Sequence, residues 1–233
     1  MPEPAPLSIA FLLYPGVTQL DLTGPAQFLS RIGNATLHYV ARTAAPVATD
    51  AGFSILPTAT FADVPAADMI CVPGGISCVD VMEDEETLAW VRSVGESAQW
   101  VTSVCTGSLI LAAAGLLTGY RAASHWAWRE HLSLFGAEPV AERVVFDRNR
   151  VTGGGVTAGI DFALALIAAI RGEAHARVVQ LALEYDPAPP FDSGSPERAA
   201  QETVAIYRKR VDALAPGRDL RVRATAERLG FTG

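Results

Sequence analysis

The stretch from Trp100 to Leu117 constrains the fold most, because it asks a strand to become a helix with almost no loop between them. Val101 to Val104 is a short run bounded by β-branched residues, long enough for one buried strand. Leu109 to Leu117 carries Leu, Ile and Ala on every side, the pattern of a helix buried all round. Cys105, Thr106 and Gly107 fill the junction, and glycine permits close packing at such a bend. The side chain at the bend is thrown outward toward the positive end of the next helix. That is the arrangement of a nucleophile elbow, with Cys in place of Ser. A helix N-terminus favours the thiolate, so Cys105 is expected to have a lowered pKa. The other reading makes Cys105 a small buried hydrophobe, as free cysteines often are, and this stretch alone leaves the two balanced.

A chain of 233 residues, half of them hydrophobic, can bury the core of one large α/β unit. Its formal charge of −7 argues against nucleic acid as a partner, since phosphate binding needs concentrated Lys and Arg. Cys71, Cys78 and Cys105 form no disulfide framework and fit a reducing compartment. No metal-ligand spacing occurs, and the four histidines are scattered. The N-terminal segment lacks a basic region, and no run reaches the roughly 20 apolar residues of a membrane span. A soluble, cytoplasmic protein with neither nucleic-acid nor membrane partners is expected.

Leu7 to Tyr14 is a near-continuous apolar run, as for a strand covered on both faces. Thr23 can cap a helix with Pro25 in its first turn, running to about Arg31 and ended by Gly33. This puts Asp21 in a loop beyond the first strand's carboxyl end, the edge where open α/β sheets bind ligands. Taken alone, Asp21 reads first as a surface carboxylate or a second capping group. Thr36 to Ala41 alternates like a second strand, and Ser54 to Leu56 is a short third one. An apolar strand then runs into Pro73-Gly74-Gly75, where bare N–H groups can meet a ligand or simply form a turn. Cys71 falls mid-strand, and Cys78 in a loop that could be exposed.

Asp84 to Ala98 reads as an amphipathic helix. Arg121 to Ser124 is a short strand, so His125 again falls where a strand gives way to a helix; it is either a structural histidine or a site residue. Val140 to Phe146 and Val151-Thr152 make a hairpin, and Thr157 caps the apolar helix Gly159 to Ile170. Glu173 to Tyr185 is a further helix, Asp186 to Pro196 is irregular, and Glu197 to Leu214 and Arg221 to Leu229 are polar helices.

Strands alternating with helices give a doubly wound, mostly parallel sheet with helices on both faces. A cysteine elbow, a Gly-Gly strand end and an acid after the first strand, on such a sheet, resemble the ThiJ/PfpI-type superfamily within the glutamine amidotransferase-like, flavodoxin-like fold. The segments Gln19 to Pro25, Val72 to Gly75, Val101 to Ser108, Ala123 to Trp126 and Thr152 to Asp161 look most like its isonitrile (isocyanide) hydratase branch. The resemblance implies an α/β domain over 1–190 and a helical extension over 191–233, packed on the domain or on the partner of a homodimer. It implies that Cys105 is the nucleophile and Asp21 the neighbouring acid/base. It implies that the N–H groups of Gly75 and Thr106 form an oxyanion-type pocket beside Gly74, with Val156 and His125 at the substrate and the Thr106 hydroxyl orienting the site. Many relatives carry His directly after the nucleophile; Thr106 stands there instead, which weighs against protease or amidase chemistry.

The implied reaction adds water to an isonitrile through a Cys105 thioimidate, giving an N-substituted formamide with no cofactor and no metal. The runner-up is a glyoxalase or deglycase acting on dicarbonyls. A cysteine beside a carboxylic acid also suits a non-enzymatic redox or stress sensor. The ligand-sensing half of a transcription regulator is the last class, and the tail after Pro190 is too short to hold a DNA-binding domain.

Overall fold

The computed structural model describes residues 4–231; residues 1–3 and 232–233, the outer ends of the two expected segments, lie outside the described residues. The first apolar run forms β1 (Leu7–Leu12), and α1 (Gln19–Leu29) leads to β2 (Ala35–Ala41). A small ribbon of β3 (Val47–Ala48) and β4 (Ser54–Ile55) stands apart from the main sheet, which β5 (Ala59–Thr60) rejoins. Next come β6 (Met69–Val72), α2 (Cys78–Glu83), α3 (Glu85–Ser97), β7 (Trp100–Val104) and α4 (Gly107–Ala113). A second ribbon pairs β8 (Arg121–Ala122) with β9 (Glu138–Pro139) across a 3-10 helix, Arg129–Phe135. The hairpin β10 (Val144–Asp147) and β11 (Arg150–Gly153) precedes α5 (Ala158–Arg171), α6 (Glu173–Ala182), α7 (Gln201–Leu214) and α8 (Arg218–Arg228).

The main sheet runs β10-β11-β7-β6-β1-β2-β5, parallel throughout except for the edge strand β10. From β1 the chain steps one way to β2, then returns to build β6 and β7 on the other side. Right-handed crossovers in opposite directions send α1 to one face of the sheet and α3 to the other. Accordingly α1, α5 and α6 pack together, while α2, α3, α4 and α8 form a separate group. The reversal of direction between β1 and β6 opens a crevice beyond their carboxyl ends.

Several local expectations change. Helix α1 starts at Gln19, so Asp21 lies in its first turn and not in a loop. The start is set by backbone pairing: Asp21 N–H donates to Thr18 O at 3.0 Å, and Thr18 N–H to Gly74 O at 2.9 Å. Thr23, inside the helix, bonds the Gln19 side chain and caps nothing. Cys78 opens α2 and is fully buried, not exposed in a loop. The strand expected over Arg121 to Ser124 is only two residues long and stays out of the main sheet. The third expected strand also pairs outside it. The polar tail helices begin at Gln201 and Arg218. Helix α8 packs on α2, where Arg221 pairs with Asp80 and Glu83. Among the described residues no helix is long and apolar enough to cross a membrane.

Candidate active site

Because β7, β6 and β1 are neighbours, whatever follows each of them meets at one sheet edge. Cys105 follows β7, Gly74 and Gly75 follow β6, and Asp21 follows β1. Cys105 sits at φ +58°, a conformation L-residues avoid, at a cost of about 1–3 kcal/mol. Four hydrogen bonds hold it there. Its N–H is shared between Gly153 O (3.1 Å) and Gly154 O (2.8 Å). Its carbonyl accepts from the hydroxyls of Ser108 and Ser124, both at 3.0 Å.

Small residues let the bend sit close to its neighbours. A Cβ on Gly107 would stand 2.0 Å from Val72 O, so only glycine lets α4 start against the end of β6. A Cβ on Gly74 would stand 2.5 Å from Thr106 N and 2.7 Å from Asp21 Oδ2. Gly74→Ala is therefore expected to push Asp21 and Thr106 apart, lowering stability by about 1–3 kcal/mol and removing most activity. Thermal melting and turnover of the variant measure both effects.

Asp21 has no exposed surface. Gly74 N–H donates to its Oδ2 at 3.0 Å, while Oδ1 has no hydrogen-bond partner. Burial raises its pKa to about 7, against the lowering effects of the Cys105 thiol and the Gly74 N–H. A carboxyl of that kind holds and releases a proton near neutral pH. The Cys105 thiol moves the opposite way from expectation. Burial, and then the charge of Asp21, pushes its pKa up, and the Thr106 N–H facing the sulfur only partly offsets this. Helix α4 is seven residues long and wholly buried, so its dipole does not outweigh the loss of water. Cys105 and Asp21 thus form one buried pair whose titrations are coupled, with the proton favouring sulfur.

The Thr106 hydroxyl accepts from Gly75 N–H and donates to Gly75 O, both at 2.9 Å, tying the elbow to the end of β6. This corrects the expected oxyanion pocket: the Gly75 N–H is used by Thr106 and the Gly74 N–H by Asp21. His125 directly follows Ser124, yet its ring bonds Ala127 N–H through Nδ1 (3.2 Å) and Tyr207 through Nε2 (3.2 Å). Burial lowers its pKa to about 4, so the ring is neutral near pH 7. Val156 and His125 line a cleft of about 420 Å³ that borders Ser124 and Gly154, the partners of the Cys105 backbone. Neither this cleft nor a larger one, of about 520 Å³, is lined by Cys105 or Asp21, and in the larger one Arg42 is already paired with Asp84 and Glu86.

Three further residues had no role legible in the chain. Tyr14 ends the first apolar run and reads as core, but its hydroxyl donates to Pro73 O at 3.0 Å. Ser124 had only its place before His125, and Tyr207 lies on a polar helix far along the chain. Among the described residues no cluster of three or more His, Cys, Asp or Glu could hold a metal ion.

Residues 7–169 match the DJ-1/PfpI family. The chain belongs to this family. Among its relatives is the isonitrile hydratase of Pseudomonas putida, 52% identical over 219 residues, which take in 94% of this chain and 95% of that enzyme. A crystal structure of a ThiJ/PfpI family protein from Pseudomonas syringae superposes with a TM-score of 0.91 at 43% identity, covering 97% of this chain and 92% of that one. An HTH-type transcriptional regulator of Pseudomonas aeruginosa is 30% identical over 186 residues, which are 76% of this DJ-1/PfpI protein but 49% of the regulator.

Proposed function

We propose that this DJ-1/PfpI protein is an isonitrile hydratase, with Cys105 as nucleophile and Asp21 as proton carrier. The Cys105–Asp21 pair carries the reading, since it joins a sulfur nucleophile to a carboxyl with a pKa of about 7. The near-full-length likeness to the Pseudomonas putida enzyme supports the substrate class. The terminal carbon of R–N≡C accepts a proton and a nucleophile together. The Cys105 thiol gives its proton to the Asp21 carboxylate, which passes it to that carbon as sulfur bonds to it. The product is the thioimidate R–N=CH–S–Cys105, with Asp21 again ionised. Water then adds to the same carbon as Asp21 takes one of its protons and the nitrogen gains a proton. As the C–S bond breaks, the carbinol proton is released, Asp21 returns its proton to sulfur, and R–NH–CHO is left. Splitting one hydration into two steps is the gain from covalent catalysis. No cofactor enters.

No negative charge collects on oxygen as sulfur attacks, so a site whose Gly74 and Gly75 N–H groups are both engaged suits this chemistry better than acyl transfer. A deglycase of Thermococcus kodakarensis shares 33% identity over 36% of this chain, a shorter likeness for the dicarbonyl alternative. The deciding assay mixes purified protein with an alkyl isonitrile and follows the formamide proton by NMR. Formamide at a catalytic rate is expected; none above the buffer control would end the reading.

Two further points belong to the same proposal. The chain forms a homodimer: Val178 and Leu181 are 65% and 82% exposed, three residues apart on α6, and offer an apolar stripe. Light scattering is expected to give the mass of two chains, and a one-chain mass at micromolar concentration would refute it. Three free cysteines support a reducing, cytoplasmic compartment.

A further inference from the structure

The hydration needs a proton at the substrate nitrogen as well as at its carbon, and Asp21 is committed to the attacking water in that step. Helix α7 brings a second donor beside His125, which lines the cleft bordering Ser124 and Gly154. Val211 is the helix's one buried residue, and Tyr207, 38% exposed, turns toward His125 and Trp126. Its ring packs on His125 and Trp126, with centroids 5.7 and 5.3 Å away. His125 in turn sits over Gly155 and directly follows Ser124, whose hydroxyl holds the Cys105 carbonyl. The Tyr207 hydroxyl is 3.2 Å from His125 Nε2. Ala127 N–H donates to His125 Nδ1, so the neutral ring carries its proton on Nε2 and donates it to the tyrosine oxygen. The phenol's own proton is then free to point elsewhere.

We propose that Tyr207, oriented by His125, is the proton donor to the substrate nitrogen in the second half of the reaction. This rests on the isonitrile hydratase reading. As water oxygen bonds to the thioimidate carbon, Asp21 takes the water proton and the Tyr207 O–H gives its proton to nitrogen. The adduct R–NH–CH(OH)–S–Cys105 and a phenolate result. The His125 Nε2–H faces that phenolate and stabilises it. On collapse the carbinol proton returns to the phenolate, the C=O bond forms and the C–S bond breaks. Asp21 returns its proton to sulfur, so every proton is accounted for within the site. Burial, with the nearby Cys105, raises the phenol's pKa, so it carries its proton at neutral pH.

The test is Tyr207→Phe, which keeps the ring and loses only the hydroxyl on a half-exposed side chain. Steady-state formamide production should fall roughly hundredfold. The first turnover should still consume isonitrile, so intact-protein mass spectrometry during turnover should show the chain heavier by one substrate mass. Parental protein should show little of this adduct. Unchanged turnover would overturn the proposal, and so would slow turnover with unmodified protein, which would mean an earlier or merely structural role. Failure of the parental protein to hydrate isonitrile would instead strike the functional reading, so the two failures are separable.

Discussion

Cys105→Ala is expected to abolish isonitrile hydration, a loss of roughly 10⁴-fold or more, while the protein still folds. Alanine meets the same left-handed backbone as cysteine does, and the four hydrogen bonds that hold position 105 involve main-chain atoms of that residue. Only one buried sulfur is lost, at a cost of about 1 kcal/mol. Cys105→Ser should be equally inactive, because a carboxylate cannot deprotonate an alcohol usefully even with its pKa at about 7. Brief treatment with iodoacetamide followed by peptide mapping gives the companion result. Cys105 is 5% exposed and has Asp21 to take its proton, whereas Cys71 and Cys78 are fully buried with pKa values pushed up to about 12. It should therefore be modified first of the three, though without the speed of a preformed thiolate. Retained activity in the alanine variant would return Cys105 to the role of a core residue.

Asp21→Asn should reduce turnover by about 10²–10⁴-fold, since both proton transfers at sulfur pass through this carboxyl. Its effect on stability has the opposite sign. The folded-state pKa of about 7 stands above the ordinary 3.8, so from pH 4 to pH 7 the native state keeps a proton that the unfolded chain has released. More protons bound in the native state mean that stability falls as pH rises through that window. The full loss, on the order of a few kcal/mol, is in place by pH 8 and absent below about pH 4. Asparagine can still accept the Gly74 N–H and carries no charge to bury. The melting temperature of the Asp21→Asn variant, relative to the parental protein, should therefore rise by several degrees between pH 4 and pH 8. A gap independent of pH would show that Asp21 is not held by burial as described. Full activity in the asparagine variant would move the proton chemistry elsewhere, with His125 first to be examined.

The parts of this fold that were legible in the chain are those whose cause is local. An apolar run such as Leu7 to Tyr14 must be covered on both faces, and a strand meeting a buried helix through Cys-Thr-Gly must bend sharply. Elements whose boundaries depend on distant partners were misplaced. Helix α1 begins at Gln19 because the chain before it is pinned to Gly74, far along the sequence, and nothing between Thr18 and Pro25 announces that. The two-residue strands β4 and β8 pair in ribbons of their own, which alternation of side chains cannot reveal.

Residue types and their spacing along single elements were enough to nominate Cys105, Asp21 and the paired glycines, because a bend, a strand end and a glycine pair are features of short segments; a role for Thr106 came only with the family resemblance. Which of them meet, and in what state, was decided by the sheet order β7-β6-β1. That order seats Asp21 against Gly74, spends the Gly75 N–H on Thr106, and removes water from Cys105 so that its thiol is raised rather than lowered. Only the fold brings Tyr207, from α7, to His125. Charge and hydrogen-bond state depend on everything within a few ångströms in space, and a linear sequence holds that neighbourhood only after it has folded.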